Sequence, residues 1–199
     1  MNQNNKLTIP DLISIGVFTA LYFVLVAIAT FVTGVIIPGL SYVLLPAVAA
    51  LISGSVYMLL SAKVQKFGAI TIMGMVMGLF FFVSGHFILS FAANIVCGIV
   101  ADIIALSCKY KKKVILLVSY TVFSYGLTGP VLPLWFMKDK YVANLVERGK
   151  DMAYIDRVFS HINMGTFWLC IVAILVAAVI GGLFGQKMVK KHFAKAGIV

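Results

Sequence analysis

From residue 12 to residue 184 the chain is a succession of apolar runs, most of them closed by glycine, proline or clustered lysines. A hydrocarbon layer about 30 Å thick is crossed by roughly 20 consecutive apolar residues in a helix. Lipid offers no hydrogen-bond partners, so backbone inside it must satisfy itself, and continuous rather than alternating apolar runs do so as helices. Six runs fit: 12–37, 42–62, 68–84, 86–107, 114–136 and 163–184. Composition agrees, with 62% hydrophobic and only 11% charged residues, where a soluble domain carries about a quarter charged. The expectation is an all-α integral membrane protein, a six-transmembrane-helix bundle forming one domain over residues 1–199.

The net charge of +10 does not point to nucleic acid, because the basic residues lie between apolar runs rather than in one patch. They sort by side. Lys6, Lys63, Lys66, Lys109, Lys111, Lys112, Lys113, Lys187, Lys190, Lys191 and Lys195 fall at one end of the bundle, with Asp11 as a lone nearby acid. Lys138, Lys140, Arg148, Lys150 and Arg157 fall at the other among four acids. The positive-inside rule then places both termini in the cytoplasm of a multi-pass protein of the bacterial plasma membrane. The first apolar run is too long for a signal-peptide core and is expected to be retained as a span. Cys97, Cys108 and Cys170 have neither CxxC nor zinc-ligand spacing and read as reduced core residues.

Residues 125–141, YGLTGPVLPLWFMKDKY, break the fifth run with Gly126, Gly129, Pro130 and Pro133. Proline removes a backbone donor, and a broken helix end in a membrane belongs where protein or a water-filled cavity receives its backbone. Topology puts this stretch at the outer face, as the rim of a binding site. The connection 137–162 that follows interleaves apolar residues with charge, which predicts one or two short amphipathic helices lying over that face as a lid.

Polar side chains in the outer halves of the last three spans fall in stripes: His86, Ser90 and Asn94 on the fourth, Tyr125 and Thr128 on the fifth, and Asn163 and Thr166 on the sixth. With Trp135 and Trp168 beside them, the candidate substrate-binding residues are His86, Ser90, Asn94, Tyr125, Thr128, Trp135, Asn163 and Trp168. Each has an ordinary alternative. Serine and threonine bond their own helix carbonyls, intramembrane Asn makes interhelical bonds, and Trp anchors at interfaces. Asp102 is the one acid inside an apolar run, a position that costs roughly 2.5–3.5 kcal/mol near a span centre. It projects away from the His86 stripe and reads as structural or coupling rather than substrate-binding, reaching lysine, water or a partner subunit at the lysine-rich end.

Small residues form three further faces: Gly16, Ala20, Ala27 and Gly34 on the first span, Gly74 and Gly78 on the third, and Ala177, Gly181 and Gly185 on the sixth. Such spacing lets helix backbones approach closely in lipid. There is no phosphate-binding G-x-x-x-x-G-K-[ST], no H-E-x-x-H, no G-x-S-x-G and no His/Cys/acid cluster. An enzyme, a metal site and a cofactor are therefore not expected, and no repeat with paired buried charges suggests a self-powered transporter.

The tracts KLTIPDLISIGVFTALYFV, KFGAITIMGMVMGL followed by SGH, GPVLPLWFMKDKY and GQKMVKKHFAKAG together resemble the Trep_Strep group, also labelled MptD-like, of substrate-binding S components of energy-coupling factor (ECF) transporters. The resemblance runs from Lys6 to Gly197. It implies a six-helix subunit that captures a small water-soluble micronutrient outside the cell. That subunit topples in the membrane to release it inward, working with a transmembrane coupling subunit and two cytoplasmic ATPase subunits. S components dock on the coupling subunit through an A-x-x-x-A-like motif in the first span. The matching position here is Gly16-x-x-x-Ala20, with Gly in place of the first Ala, so Gly16, Ala20 and Ala27 are the candidate docking residues. The resemblance carries over no substrate-binding residue. A self-contained facilitator or channel for a small solute is the alternative.

Overall fold

The computed structural model describes residues 6–193; Lys195 and the end of the GQKMVKKHFAKAG tract lie outside the described residues. Among these the chain is helical and contains no strand. Helix α1 (Ile9–Ile36) starts from Thr8, whose backbone amide and hydroxyl both donate to the Asp11 carboxylate. It is followed by α2 (Ser41–Lys63), α3 (Ala69–Val83), α4 (Ile88–Ser107) and α5 (Lys113–Ser124). A single 3-10 turn, Tyr125–Thr128, continues α5, and after Pro130 the chain resumes as the one-turn α6 (Pro133–Phe136). Two amphipathic helices, α7 (Lys138–Glu147) and α8 (Met152–Phe159), precede the long α9 (Met164–Met188). The connection 137–162 is thus the helical pair its pattern predicts.

Four of the described helices, α1, α2, α4 and α9, are long and apolar enough to cross a membrane. Helix α3 and the segment Lys113–Thr128 are apolar but shorter. At 1.5 Å per residue, 15 residues rise about 22 Å against a hydrocarbon thickness of about 30 Å. The fifth run is therefore not one helix over 114–136, because the glycines and prolines end it after Thr128.

Helix α2 is the most enclosed, and α1, α4 and α9 leave most of their surface outward as Leu, Ile, Val and Phe. Exposed apolar faces are what a lipid surround stabilises, and packing between spans then rests on close backbone approach. The seam between α2 and α9 shows this. A methyl group on Gly54 would overlap the Gly181 backbone, and one on Gly185 would stand 2.5 Å from the Gly54 carbonyl. The α3–α4 seam is similar, with a Cβ on Gly74 only 2.7 Å from the Asn94 carbonyl. The faces at Gly74/Gly78 and Gly181/Gly185 are therefore internal.

Mid-bundle, the core is aromatic. Tyr22, Tyr57, Tyr120 and Phe123 are all buried, with Tyr22 edge-on to Phe123 at 5.5 Å and Tyr57 against Tyr120 at 4.9 Å and Phe123 at 5.1 Å. The Tyr57 hydroxyl bonds the Ser119 hydroxyl at 2.6 Å, and Ser119 donates to the Ala101 carbonyl, tying α2, α4 and α5 together.

At the lysine-rich end, Asp102 of α4 is completely buried. One carboxylate oxygen accepts from the Gly68 amide at 2.8 Å, the Thr71 amide at 3.0 Å and the Thr71 hydroxyl at 2.9 Å. The other accepts from the Tyr110 hydroxyl at 2.6 Å. Its partners are thus donors at the start of α3 and the Tyr110 hydroxyl rather than a lysine. A carboxylate at a helix N-terminus satisfies orphan donors and complements the helix dipole. Gly68 permits the turn, since its φ of 101° lies in the region that favours glycine.

Candidate functional site

At the opposite end the bundle opens into a cavity of about 420 Å³. Helix α1 contributes Phe23, Val26, Ala27 and Thr30, and α2 contributes Tyr42 and Leu45. The end of α3 and the turn after it bring Phe80, Phe81, Ser84 and His86. Leu127, Pro130 and Val131 come from the broken segment, Tyr141 from α7 and Arg148 from the cap that ends α7. The break at Gly129 and Pro130 thus supplies a wall of the cavity. It folds there because Gly129 lies against α4 so closely that a Cβ would stand 2.7 Å from the Ser90 Cα.

Beneath the cavity on the α1 and α5 sides the core is packed. Tyr22 lies one turn below Val26, and Phe123 one turn below Leu127, about 6 Å deeper along each helix. Both belong to the buried aromatic layer. The roof is tied down by ring contacts: Tyr141 stacks on Phe87 with centroids 5.8 Å apart, and Phe159 meets Tyr141 edge-on. The Tyr42 hydroxyl bonds that of Tyr154, Lys138 sits 5.1 Å over the Phe159 ring, and Lys150 sits 5.0 Å over Tyr154.

The polar equipment is sparse, and no Asp or Glu lines the cavity. Arg148 carries the one formal charge in the lining and has no ion pair among the described residues. His86 places Nδ1 3.2 Å from the Phe81 carbonyl oxygen. A carbonyl only accepts, so that nitrogen carries the proton and Nε2 of the neutral ring is an acceptor. Burial, reinforced by Arg148, holds the His86 pKa below 6.5. Burial also raises that of the Tyr141 hydroxyl, against a smaller opposing effect of Arg148. The site therefore presents aromatic walls, one guanidinium and one neutral imidazole.

Of the eight residues singled out from sequence as substrate-binding candidates, the structure brings His86 into this cavity. Asn94 is buried and donates from Nδ2 to the Ser90 carbonyl at 2.8 Å, against the Gly78 and Gly126 close approaches. Ser90 is fully buried and its hydroxyl has no hydrogen-bond partner among the described residues. The Tyr125 hydroxyl donates to the Ile171 carbonyl at 3.0 Å, and the Thr128 hydroxyl to the Tyr125 carbonyl at 2.6 Å. Trp135 donates from Nε1 to the Asn163 carbonyl at 3.0 Å, while the Asn163 side chain caps α9 by accepting from the Thr166 amide. Trp168 is 61% exposed on the outside of the bundle. These seven do not line the cavity.

Sequence reasoning did not single out Tyr42, Phe80, Phe81 and Arg148, and it reached Tyr141 only as the end of the 125–141 rim. Apart from Arg148, which sits among other rim charges, they carry no polar stripe that distinguishes them from lipid-facing aromatics.

A second hollow, of about 310 Å³, runs between α1 and α3 and is almost wholly apolar. Gly16 and Ala20 are on its wall, and a Cβ at Gly16 would meet nothing within 4 Å. Ala27 lies instead on the outer cavity. Among the described residues no group of His, Cys, Asp and Glu is placed to hold a metal.

A family model described as "Hypothetical bacterial integral membrane protein (Trep_Strep)" matches residues 9–195. No curated protein and no solved structure matches the chain. The matched span takes in every helix from α1 to α9, and its apolar helices are those of a multi-pass protein of the bacterial cell membrane. The chain belongs to the Trep_Strep family of bacterial integral membrane proteins.

Proposed function

We propose that this chain is the substrate-binding S component of an ECF-type importer. In this reading α3 and the Lys113–Thr128 segment complete a set of six spans, both termini are cytoplasmic, and the cavity faces outward. It captures a small water-soluble nutrient there, and a transmembrane coupling subunit with two cytoplasmic ATPase subunits drives uptake. Catalysis by the chain itself plays no part.

The observation that carries the reading is the cavity at the lysine-poor end, set above the buried layer of Tyr22, Tyr57, Tyr120 and Phe123. A site at one end of the bundle with a packed aromatic core beneath it suits capture and retention. A facilitator needs a route through. The unfilled hollow at Gly16 and Ala20 adds support, because an apolar hollow beside small residues lets another helix approach closely.

Reconstitution tests it. The chain is placed in liposomes alone or with its coupling and ATPase subunits, and uptake of the solute that copurifies with it, identified by mass spectrometry, is followed. Uptake that requires the partners and ATP is expected. Equal uptake by the chain alone would replace this reading with that of a facilitator.

A further inference from the structure

The lining of the outer cavity specifies more than a small nutrient. Five aromatic side chains, those of Phe23, Phe80, Phe81, Tyr42 and Tyr141, line it, and aromatic walls pack a ring edge-on or offset better than a chain or a sugar. Aromatic faces alone also suit cations. Here the sign is decided by Arg148, which lines the cavity with no carboxylate to balance it, so a cationic guest meets a like charge and an anionic one meets a planar fork of donors. His86 supplies the second polar contact. Its Nδ1 proton is engaged by the Phe81 carbonyl, which leaves Nε2 to accept from a ligand N–H or O–H. A cavity of about 420 Å³ is in the range, roughly 300–1,000 Å³, that holds small ligands.

We infer that the outer cavity takes an aromatic or heteroaromatic monocarboxylate bearing a ring N–H or O–H. Arg148 pairs with the carboxylate, His86 accepts from the ring donor, and the ring packs among Phe80, Phe81 and Tyr141. This assignment rests on the cavity being the ligand site of the proposed function.

Four probes test it on the full chain in nanodiscs, by calorimetric titration: indole-3-carboxylate, indole-3-carboxamide, 1-methylindole-3-carboxylate and tryptamine. The carboxylate is expected to bind about tenfold more tightly than the carboxamide, the scale of one charge-assisted hydrogen bond. It should also bind more tightly than the N-methylated probe, and tryptamine should not compete with it. Arg148→Gln should erase the preference over the carboxamide and Arg148→Lys should keep part of it, while His86→Phe should erase the preference over the N-methyl probe. Tryptamine binding as tightly as the carboxylate, a preference that survives Arg148→Gln, or no binding by any probe would overturn the inference. A phospholipid that native mass spectrometry finds in the cavity and that indole-3-carboxylate does not displace would do the same. The two readings fail separately. Partner-dependent uptake of a different solute with the probe ranking absent removes only the ligand class. The expected ranking with partner-independent uptake removes only the S-component reading.

Discussion

Asp102 on α4 caps α3 through Thr71, accepting from its amide at 3.0 Å and its hydroxyl at 2.9 Å. A carboxylate from one helix thus terminates another, and the same group holds Tyr110 at 2.6 Å. Asp102→Ala leaves these buried donors without an acceptor, at a cost on the order of 3 kcal/mol. For a chain of this size the corresponding fall in Tm is about 6–12 °C. Asp102→Asn, which keeps one carbonyl oxygen, should fall less. Thermal unfolding in detergent checks the order, and an unchanged Tm in the alanine variant would contradict the capping role.

The α2–α9 seam should reject any side chain. Gly54→Ala forces a methyl into the Gly181 backbone, and Gly181→Ala forces one into the carbonyls of Ala50 and Leu51. Overpacking against backbone costs about 1–3 kcal/mol, so both variants should lose yield of folded, monodisperse protein in size-exclusion chromatography. Gly16→Ala, where a Cβ meets nothing within 4 Å, is expected to behave as the parent.

Gly16→Leu with Ala20→Leu fills the hollow beside α3 from the side a partner helix would use. If the proposed S-component reading holds, the double variant should retain its Tm and its ligand binding, yet fail to pull down the coupling and ATPase subunits that reading requires. Recovery of intact complexes would show that docking uses another face.

Acid should weaken the outer end through His86. Its pKa lies below 6.5, burial being the larger cause and Arg148 the smaller, so the unfolded chain takes up a proton that the folded one resists. Stability is then full above 6.5 and declines as the pH drops through that value toward the folded pKa. Tyr141 from α7, Arg148 from its C-terminal cap and Tyr42 from α2 are the other titratable groups lining the cavity with His86. A plot of Tm from about pH 7 to 5 should be flatter for His86→Gln than for the parent, and parallel plots would dismiss the effect.

How far residues alone led depends on what a neighbour does to them. The apolar runs marked α1, α2, α4 and α9, because lipid imposes length and apolarity on each helix separately. His86 could be picked out because it stands at a turn. Ser90 and Asn94 looked like its stripe, but Asn94 bonds the carbonyl of Ser90 on its own helix, which spacing alone cannot reveal. Phe81 lines the cavity half-buried while Phe82 beside it is exposed, and nothing local separates the two. Asp102 stood out as costly, yet three of its four hydrogen bonds come from the start of α3, and only the packing of α3 on α4 brings those donors within reach.

The aromatic layer formed by Tyr22, Tyr57, Tyr120 and Phe123 bears on how cargo could cross. Four mutually braced rings form a bulkhead rather than a gate, since opening a passage would mean unseating side chains contributed by α1, α2 and α5 at once. On the importer reading proposed above, cargo seated over this layer would reach the other side of the membrane by turning the vessel, not by draining it.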